Sequence, residues 1–395
     1  MHSLTLITTN WSEPLAVASY TTGVSLHSHT SVSQESLSFV KSACSWMPGL
    51  NQMLQHYGQR SSQRHGIRLD LNRAYWCPPL LPRMAYDVEA RQIQRLWLTP
   101  LVSITDHDSM EAPLLLRAVP SSRHIPMSTE WSVPYGATWF HMGIHNLPSR
   151  DAVRWMERMK RFTEEADAAR ANNGDLEAFD RKLIEMIREM HESPQVLIVF
   201  NHPVWDLHRV GAATHRKELH RFLQATGRCI HALELNGLRH AQENRDVAQL
   251  ARETDHLLIS GGDRHGLEPN ANVNLTTAAT FTEFVEEVRV DRRSHVHFMD
   301  QYQRRWEQRI LESTLNAITD FPNFLPGWQR WDDRAFHPDA NGEMRSLREL
   351  WPDGDAPRGM RAAIHFVRMG GRNRAVAAPL RLAFPGVNRL GAEGF

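Results

Sequence analysis

Several short segments of this chain close an apolar run on an imidazole or a carboxylate. In order, LHSHTS presents His27 and His29, ITDHDS presents Asp106 and His107, and STEWS presents Glu130. WFHMGIH adds His141 and His145, VFNHPVW adds His202, ALELNG adds Glu234 and Asn236, and SGGDRHG adds Asp263 and His265. Imidazole nitrogen with carboxylate oxygen suits Zn, Mn or Fe, and the set contains no thiolate, which excludes a structural zinc knot. Side chains two apart on an extended strand point the same way. His27 with His29, and Asp263 with His265, can therefore each aim two ligands at one centre, while Ser28 and Arg264 point away or sit on a bend. A bridging carboxylate would let two metals lie about 3.5–4 Å apart and share a hydroxide. The chemistry implied is Lewis-acid hydrolysis.

Such residues need a scaffold that gathers strand ends. The apolar runs predict strands at Val24–His27, Leu101–Thr105, Ile125–Glu130, Thr138–Ile144, Val196–Asn201, Ile230–Asn236 and Leu257–Gly262. Amphipathic periodicity predicts helices at Asp151–Ala169, Leu176–His191, Arg216–Ala225, Glu243–Glu253, Thr282–Val290 and Asp300–Asn316. Alternation of this kind predicts an α/β fold, and its spacing favours a TIM-like barrel of parallel strands whose C-terminal ends share one face. An open doubly wound sheet is the alternative, but no GxGxxG or Walker loop supports its usual nucleotide-binding forms. Residues 36–97 and 151–192 are expected to be inserts on a barrel domain spanning 1–317. Residues 318–395 are expected to be a C-terminal extension, turn-rich at first and basic at its end.

Composition bounds the rest. The chain has 395 residues with 45 basic and 45 acidic side chains, and this balance argues against a bulk nucleic-acid binder. It holds 22 histidines, of which those at strand exits carry the chemistry and the others are read as surface or packing residues. Three cysteines, Cys44, Cys77 and Cys229, form no CxxC and no disulfide framework, so a reducing, cytoplasmic setting is expected. The opening MHSLTLITTNWSEP lacks the charge and apolar pattern of a secretory leader, and no run approaches the ~20 apolar residues of a membrane span, so a soluble protein is expected.

The ordered set LHSHTS, ITDHDS, STEWS, FHMGIH, FNHP, ELNG and GGDRHG, spanning residues 24–268, resembles the polymerase-and-histidinol-phosphatase (PHP) superfamily of metal-dependent hydrolases. The resemblance implies a distorted (β/α)7 barrel, two or three divalent ions (Zn, Mn or Fe) and hydrolysis of a small phosphate ester through a metal-activated hydroxide. It implies metal roles for His27, His29, His107, Glu130 (bridging), His141, His202, Asp263 and His265, with Asp106 either a ligand or a partner behind one. Asp263, His265, His202 and Arg264 are the candidate catalytic residues. Arg264, His145, Glu234 and Asn236 are the candidate substrate contacts, Arg264 being either a phosphate clamp or one half of a salt bridge. Three departures stand out. Gln34 and Glu35 occupy the place of the usual Asp or His, so Glu35 is a further candidate ligand or the third metal is weak or missing. The gap between His29 and Asp106 is long, which suggests a lid or specificity insert, and Arg264 stands inside the final Asp-x-His. Amide or ester hydrolysis at the same site, and a non-catalytic interaction protein on a degenerate barrel, are the alternative functions. A small phosphorylated molecule is the expected partner, nucleic acid is not favoured, and no membrane association is expected.

Overall fold

The structure is a computed structural model that describes residues 4–37, 48–172, 174–351 and 354–372. Its strands are β1 (Leu4–Thr9), β2 (Thr22–Ser25), β3 (Glu35–Ser36), β4 (Tyr75–Trp76), β5 (Thr99–Val102), β6 (Thr129–Tyr135), β7 (Thr138–His145), β8 (Leu197–Asn201), β9 (Ala232–Asn236), β10 (Leu257–Gly261), β11 (Asn272–Thr276), β12 (Arg293–Phe298), β13 (Ala335–Pro338) and β14 (Met344–Ser346). The helices that frame them are α1 (Pro48–His65), α2 (Pro82–Arg95), α3 (Glu111–Arg117), α4 (Ala152–Ala171), α5 (Leu176–His191), α6 (Ala212–Thr226), α7 (Ala241–Thr254), α8 (Phe281–Arg289) and α9 (Trp306–Ala317).

Two five-stranded sheets form the body, one ordered β1-β12-β11-β2-β5 and the other β10-β9-β8-β7-β6. The expected α/β class is present, but the strands are not uniformly parallel, and among the described residues no closed barrel forms. β2 pairs parallel with β5, and β8, β9 and β10 run parallel. β7 is antiparallel to both β6 and β8, and β11 is antiparallel to both β12 and β2. The reversal at β6 and β7 follows from chain length. Only Gly136 and Ala137 separate the two strands, a connection that permits a hairpin and no crossover, and Gly136 supplies the positive φ (49°) the tight turn needs. Among the described residues the sheets meet through single bridges, Ser28 with Arg264 and His107 with Glu130, not through a continuous ladder. Both bridges lie where the candidate ligands sit.

Packing explains the framing. Val24, Leu26, Leu197, Val199, Ala232, Leu257 and Ile259 fill the space between the sheets and α8. Met159 and Phe162 of α4, Leu183 of α5 and Phe222 of α6 cover the second sheet from outside. Residues 82–95, within the expected 36–97 insert, form α2, which buries Ala85, Glu89, Ala90 and Ile93 against β2 and β5. Gly23 on β2 permits that approach, since a Cβ there would lie 2.7 Å from Ile93 Cγ2.

A smaller sheet, β14-β13-β4-β3, joins the C-terminal extension to the segment after His29. Here β3 carries Glu35 paired with Trp76, and Trp76 pairs in turn with Ala335. Cys77 and Cys229 are free thiols. Cys44 and the basic tail beyond residue 372 lie outside the described residues. Among the described residues, no helix is long and apolar enough to cross a membrane.

Candidate metal centre

The chain segments that leave β2, β5, β8, β9 and β10, with β6 and β7, converge on one buried cluster. Among the described residues, four overlapping groups have ligand atoms mutually within 4.8 Å: His29, Glu35, His107 and His265; His27, His29 and Glu130; His27, His202 and Asp263; and His107, Glu130 and His141. Glu130 is fully buried, and its two oxygens face different partners. Oε2 lies 3.0 Å from His27 Nε2, 3.3 Å from His29 Nε2 and 3.2 Å from His107 Nδ1. Oε1 lies 3.3 Å from both His141 Nδ1 and His202 Nε2 and accepts a hydrogen bond from Asn201 Nδ2 at 2.9 Å. A carboxylate shared in this way is disposed to bridge two cations.

The local backbone is bent to make this possible. His27, His202 and Asp263, which form one of the four groups, have φ of 63°, 29° and 52°, all in the left-handed region that non-glycine residues avoid. Strain of this kind, about 1–3 kcal/mol per residue, persists where the surroundings enforce it.

The ring nitrogens turned away from the cluster are held by oxygen. His27 Nδ1 pairs with the Glu234 carboxylate, His265 Nδ1 lies 2.7 Å from the Asp263 carbonyl and His29 Nδ1 lies 3.3 Å from Ser33 Oγ. Such partners fix which nitrogen is free to bind metal. On the inner side, His27 Nε2, His29 Nε2, His107 Nδ1 and Glu130 Oε2 are buried and make no hydrogen bond. Converging unsatisfied atoms of this type are costly without a partner, and a divalent cation is the partner their chemistry fits.

Electrostatics agree. Burial alone would raise the carboxyl pKa values and lower the imidazole ones, but mutual attraction outweighs it. His265, His107 and His29 hold Glu35 well below the ordinary carboxylate range, and His27, His107 and His141 do the same for Glu130. Asp263 is likewise held down by His27 and His29. In return, despite burial, Glu130, Glu234 and Asp263 raise His27 well above its usual value, and Glu35 and Glu130 push His107 up to about 10. His202 goes the other way, to about 4, because burial dominates and Arg239 and His141 add repulsion. The carboxylates thus stay ionised and draw positive charge into the cluster.

The remaining expected residues fall at measurable places. Glu35 reaches the cluster, with Oε2 3.0 Å from His265 Nε2 and 3.4 Å from His107 Nε2. Asp106 stands behind it: Oδ1 accepts from Thr30 N at 2.5 Å and Oδ2 from Thr30 Oγ1 at 2.8 Å, and burial raises its pKa to about 6. Glu234 accepts from His202 N at 2.8 Å and Asn236 Nδ2 at 3.0 Å, so both residues brace the ligands. A Cβ on Gly261 would collide with the Glu234 carboxylate. His145 lies buried behind the cluster with Nδ1 2.8 Å from Ser103 Oγ. Arg264 turns its guanidinium to Glu89 (2.7 Å) and the Gly266 carbonyl (3.0 Å), the salt bridge that is one of its two expected roles.

Sequence reading passed over three residues at the rim. Arg239 sets Nη2 3.4 Å from Asp263 Oδ2 and lies 3.5 Å over the Trp205 ring, whose centroid is 5.0 Å from that of His202. Trp76 stands 6.1 Å from His265, ring to ring. Both tryptophans follow motif histidines or pair with a ligand strand, but no spacing rule points to them. Arg239 follows ELNG by two residues and is distinguished only by its neighbours in space.

No family model matches the chain, and no curated protein matches it. Among solved structures it is similar to an amidohydrolase from Chromobacterium violaceum with bound sulfate, at 16% identity and TM-score 0.31 over 48% of this chain and 83% of that one. It is also similar to a protein from Bifidobacterium adolescentis assigned as a metal-dependent phosphoesterase, at 16% identity and TM-score 0.30 over 54% and 92%. The chemistry of the site rests on its own residues: several buried His/Glu/Asp groups able to coordinate divalent metal ions.

Proposed function

We propose that this chain is a metal-dependent phosphoesterase of the PHP type acting on a small phosphate ester. The observation that carries the reading is the convergence of His27 Nε2, His29 Nε2, His107 Nδ1 and Glu130 Oε2 as buried atoms without hydrogen bonds, inside four overlapping ligand groups. His27, His29, Glu35, His107, Glu130, His141, His202, Asp263 and His265 would hold two or three divalent ions of the Zn, Mn or Fe kind. Bound there, such ions supply Lewis-acid charge and lower the pKa of water toward neutrality.

The chain's own residues do the rest. Arg239 is the cation at the rim, and its fork suits two oxygens of a phosphoryl group. Stacking on Trp205 holds that fork in place, and Trp205 and Trp76 stand beside His202 and His265. Glu234, Asn236 and Asp106 orient ligands and loops and do not contact substrate. We place the catalytic unit in residues 1–317, with the extension from 318 completing its Glu35 edge.

A panel of phosphate monoesters, diesters and amides, assayed with added Mn2+ or Zn2+, tests the reading. Phosphate release is expected from monoesters, and Arg239→Ala should lower kcat by roughly 10²–10³, the cost of removing one charge-stabilising donor. Metal-dependent amide hydrolysis without phosphate release would assign the other hydrolase activity.

A further inference from the structure

The two ligand pairs are far apart in the sequence, yet the residue between each pair faces the same buried carboxylate. Ser28 separates His27 from His29, and Arg264 separates Asp263 from His265. Glu89, from the inner face of α2, is fully buried behind both. Its Oε1 accepts from Arg264 Nε at 2.7 Å and lies 3.4 Å from Ser28 Oγ, and its Oε2 accepts from Ser25 Oγ at 2.9 Å and Asn270 N at 3.1 Å.

The two segments are themselves stitched together at this point. Ser28 and Arg264 form an isolated parallel bridge, His29 N donates to the Arg264 carbonyl at 2.9 Å, and Gly262 N donates to the Leu26 carbonyl at 3.1 Å. Asn270 adds hydrogen bonds from Nδ2 to the Leu26 carbonyl at 2.9 Å and Ser28 Oγ at 3.2 Å. A Cβ at Gly262 would collide with Asn270, so the approach requires glycine.

On this basis, and resting on the metal-site reading above, we infer that Glu89 is a positioning residue that sets the His27/His29 pair against the Asp263/His265 pair. It touches no candidate ligand atom. It acts through Arg264 and Ser28, the two side chains that alternation sends away from the metal side. The geometry is economical in one respect: a single anion on a helix fixes two loops whose relative placement determines whether His27 and Asp263 can share a cation. A change of a few tenths of an ångström there would alter the relative placement of the two ligand pairs. Partners behind ligands typically contribute 10–100-fold to metal affinity.

The test is Co2+ binding to chelator-stripped full-length protein, read by equilibrium dialysis and by the visible d–d band, for wild type, Glu89→Gln, Arg264→Lys and Glu89→Gln/Arg264→Met. Circular dichroism and urea unfolding run alongside. Removing one member of a buried ion pair destabilises by stranding the other charge, and the double variant removes both charges. The double variant should therefore regain most of the stability lost in Glu89→Gln, while its Co2+ affinity stays roughly 10–100-fold below wild type with a shifted d–d band, because the link to the Asp263/His265 pair is cut. Arg264→Lys, which keeps the charge but loses the fork, should fold and show the same direction of change. If Glu89→Gln does not fold, the other two variants carry the comparison. Folded variants with wild-type affinity and spectrum, or a double variant that regains both stability and affinity, would overturn the inference. Wild-type protein that takes up no Co2+ would overturn the metal-site reading itself, and this inference with it.

Discussion

Glu130 is the residue on which the candidate centre turns, because its two oxygens face separate sets of imidazoles. Oε2 serves His27, His29 and His107, and Oε1 serves His141 and His202. Glu130→Gln replaces one of those acceptors with an amide donor, and the expected outcome is loss of roughly one bound ion per chain, read by elemental analysis, with phosphate release falling in parallel. Most members of the candidate cluster were legible in the sequence because each follows an apolar run in a motif with its own spacing. Glu89 shows the limit of that reading. Alternation sends Arg264 away from the cluster and into a salt bridge, one of its two expected roles, but no one-dimensional signal marks Glu89 as its partner. Histidines outside the centre have their own consequence. Burial, reinforced by His295, lowers the His297 pKa from 6.5 to about 4, so the fold keeps this imidazole neutral. Between those values the unfolded chain binds a proton that the folded chain does not. Its stabilising contribution is therefore complete above pH 6.5 and falls as the pH drops toward 4. Urea unfolding at pH 7 and pH 5 should show the lower stability at pH 5, and His297→Gln should reduce the difference.

At the level of elements, the regions that resisted sequence reading prove to have specific placements. The segment after His29 has no single period because it mixes elements: the two-residue strands β3 and β4 on either side of α1, then α2 packed on β2 and β5. β12 was missed for another reason. SHVHF interrupts its apolar pattern with His295 and His297, which are buried against Thr8 Oγ1 at 2.7 and 2.8 Å, so polar residues occupy core positions. The small sheet ties Glu35 to the C-terminal extension by the register Glu35, Trp76, Ala335, and beside it Phe336 stacks on Tyr75 with centroids 4.9 Å apart. Phe336→Ala removes that stack, which aromatic pairs of this type value at about 0.5–1.5 kcal/mol beyond their burial. The expected result is weaker binding of an ion that the His29, Glu35, His107 and His265 group would hold, with binding at the His27, His29 and Glu130 group retained. Metal titration followed by calorimetry distinguishes the two: a single weakened step supports this role for the small sheet, and equal weakening of every step contradicts it.

For the molecule as a whole, the α/β alternation was readable but the direction of several strands was not. Direction depends on connection length and on pairing between distant segments, as the two-residue link between β6 and β7 and the antiparallel insertion of β11 show. The outcome is two mixed sheets whose ends meet at Ser28–Arg264 and His107–Glu130, so that closure of the fold and assembly of the ligand cluster happen at the same place. Bound cations should then stabilise the entire chain by mass action, about 2.7 kcal/mol at a free concentration 100 times Kd, and chelation should remove that increment. The most direct test of the central claim is phosphate release from a monoester by chelator-stripped protein as Mn2+ is restored stepwise, with bound metal counted at each step. The account predicts no turnover in stripped protein and a rate that rises only as the multinuclear cluster fills. Full metal occupancy with no phosphate release, or turnover that is indifferent to metal, would contradict it.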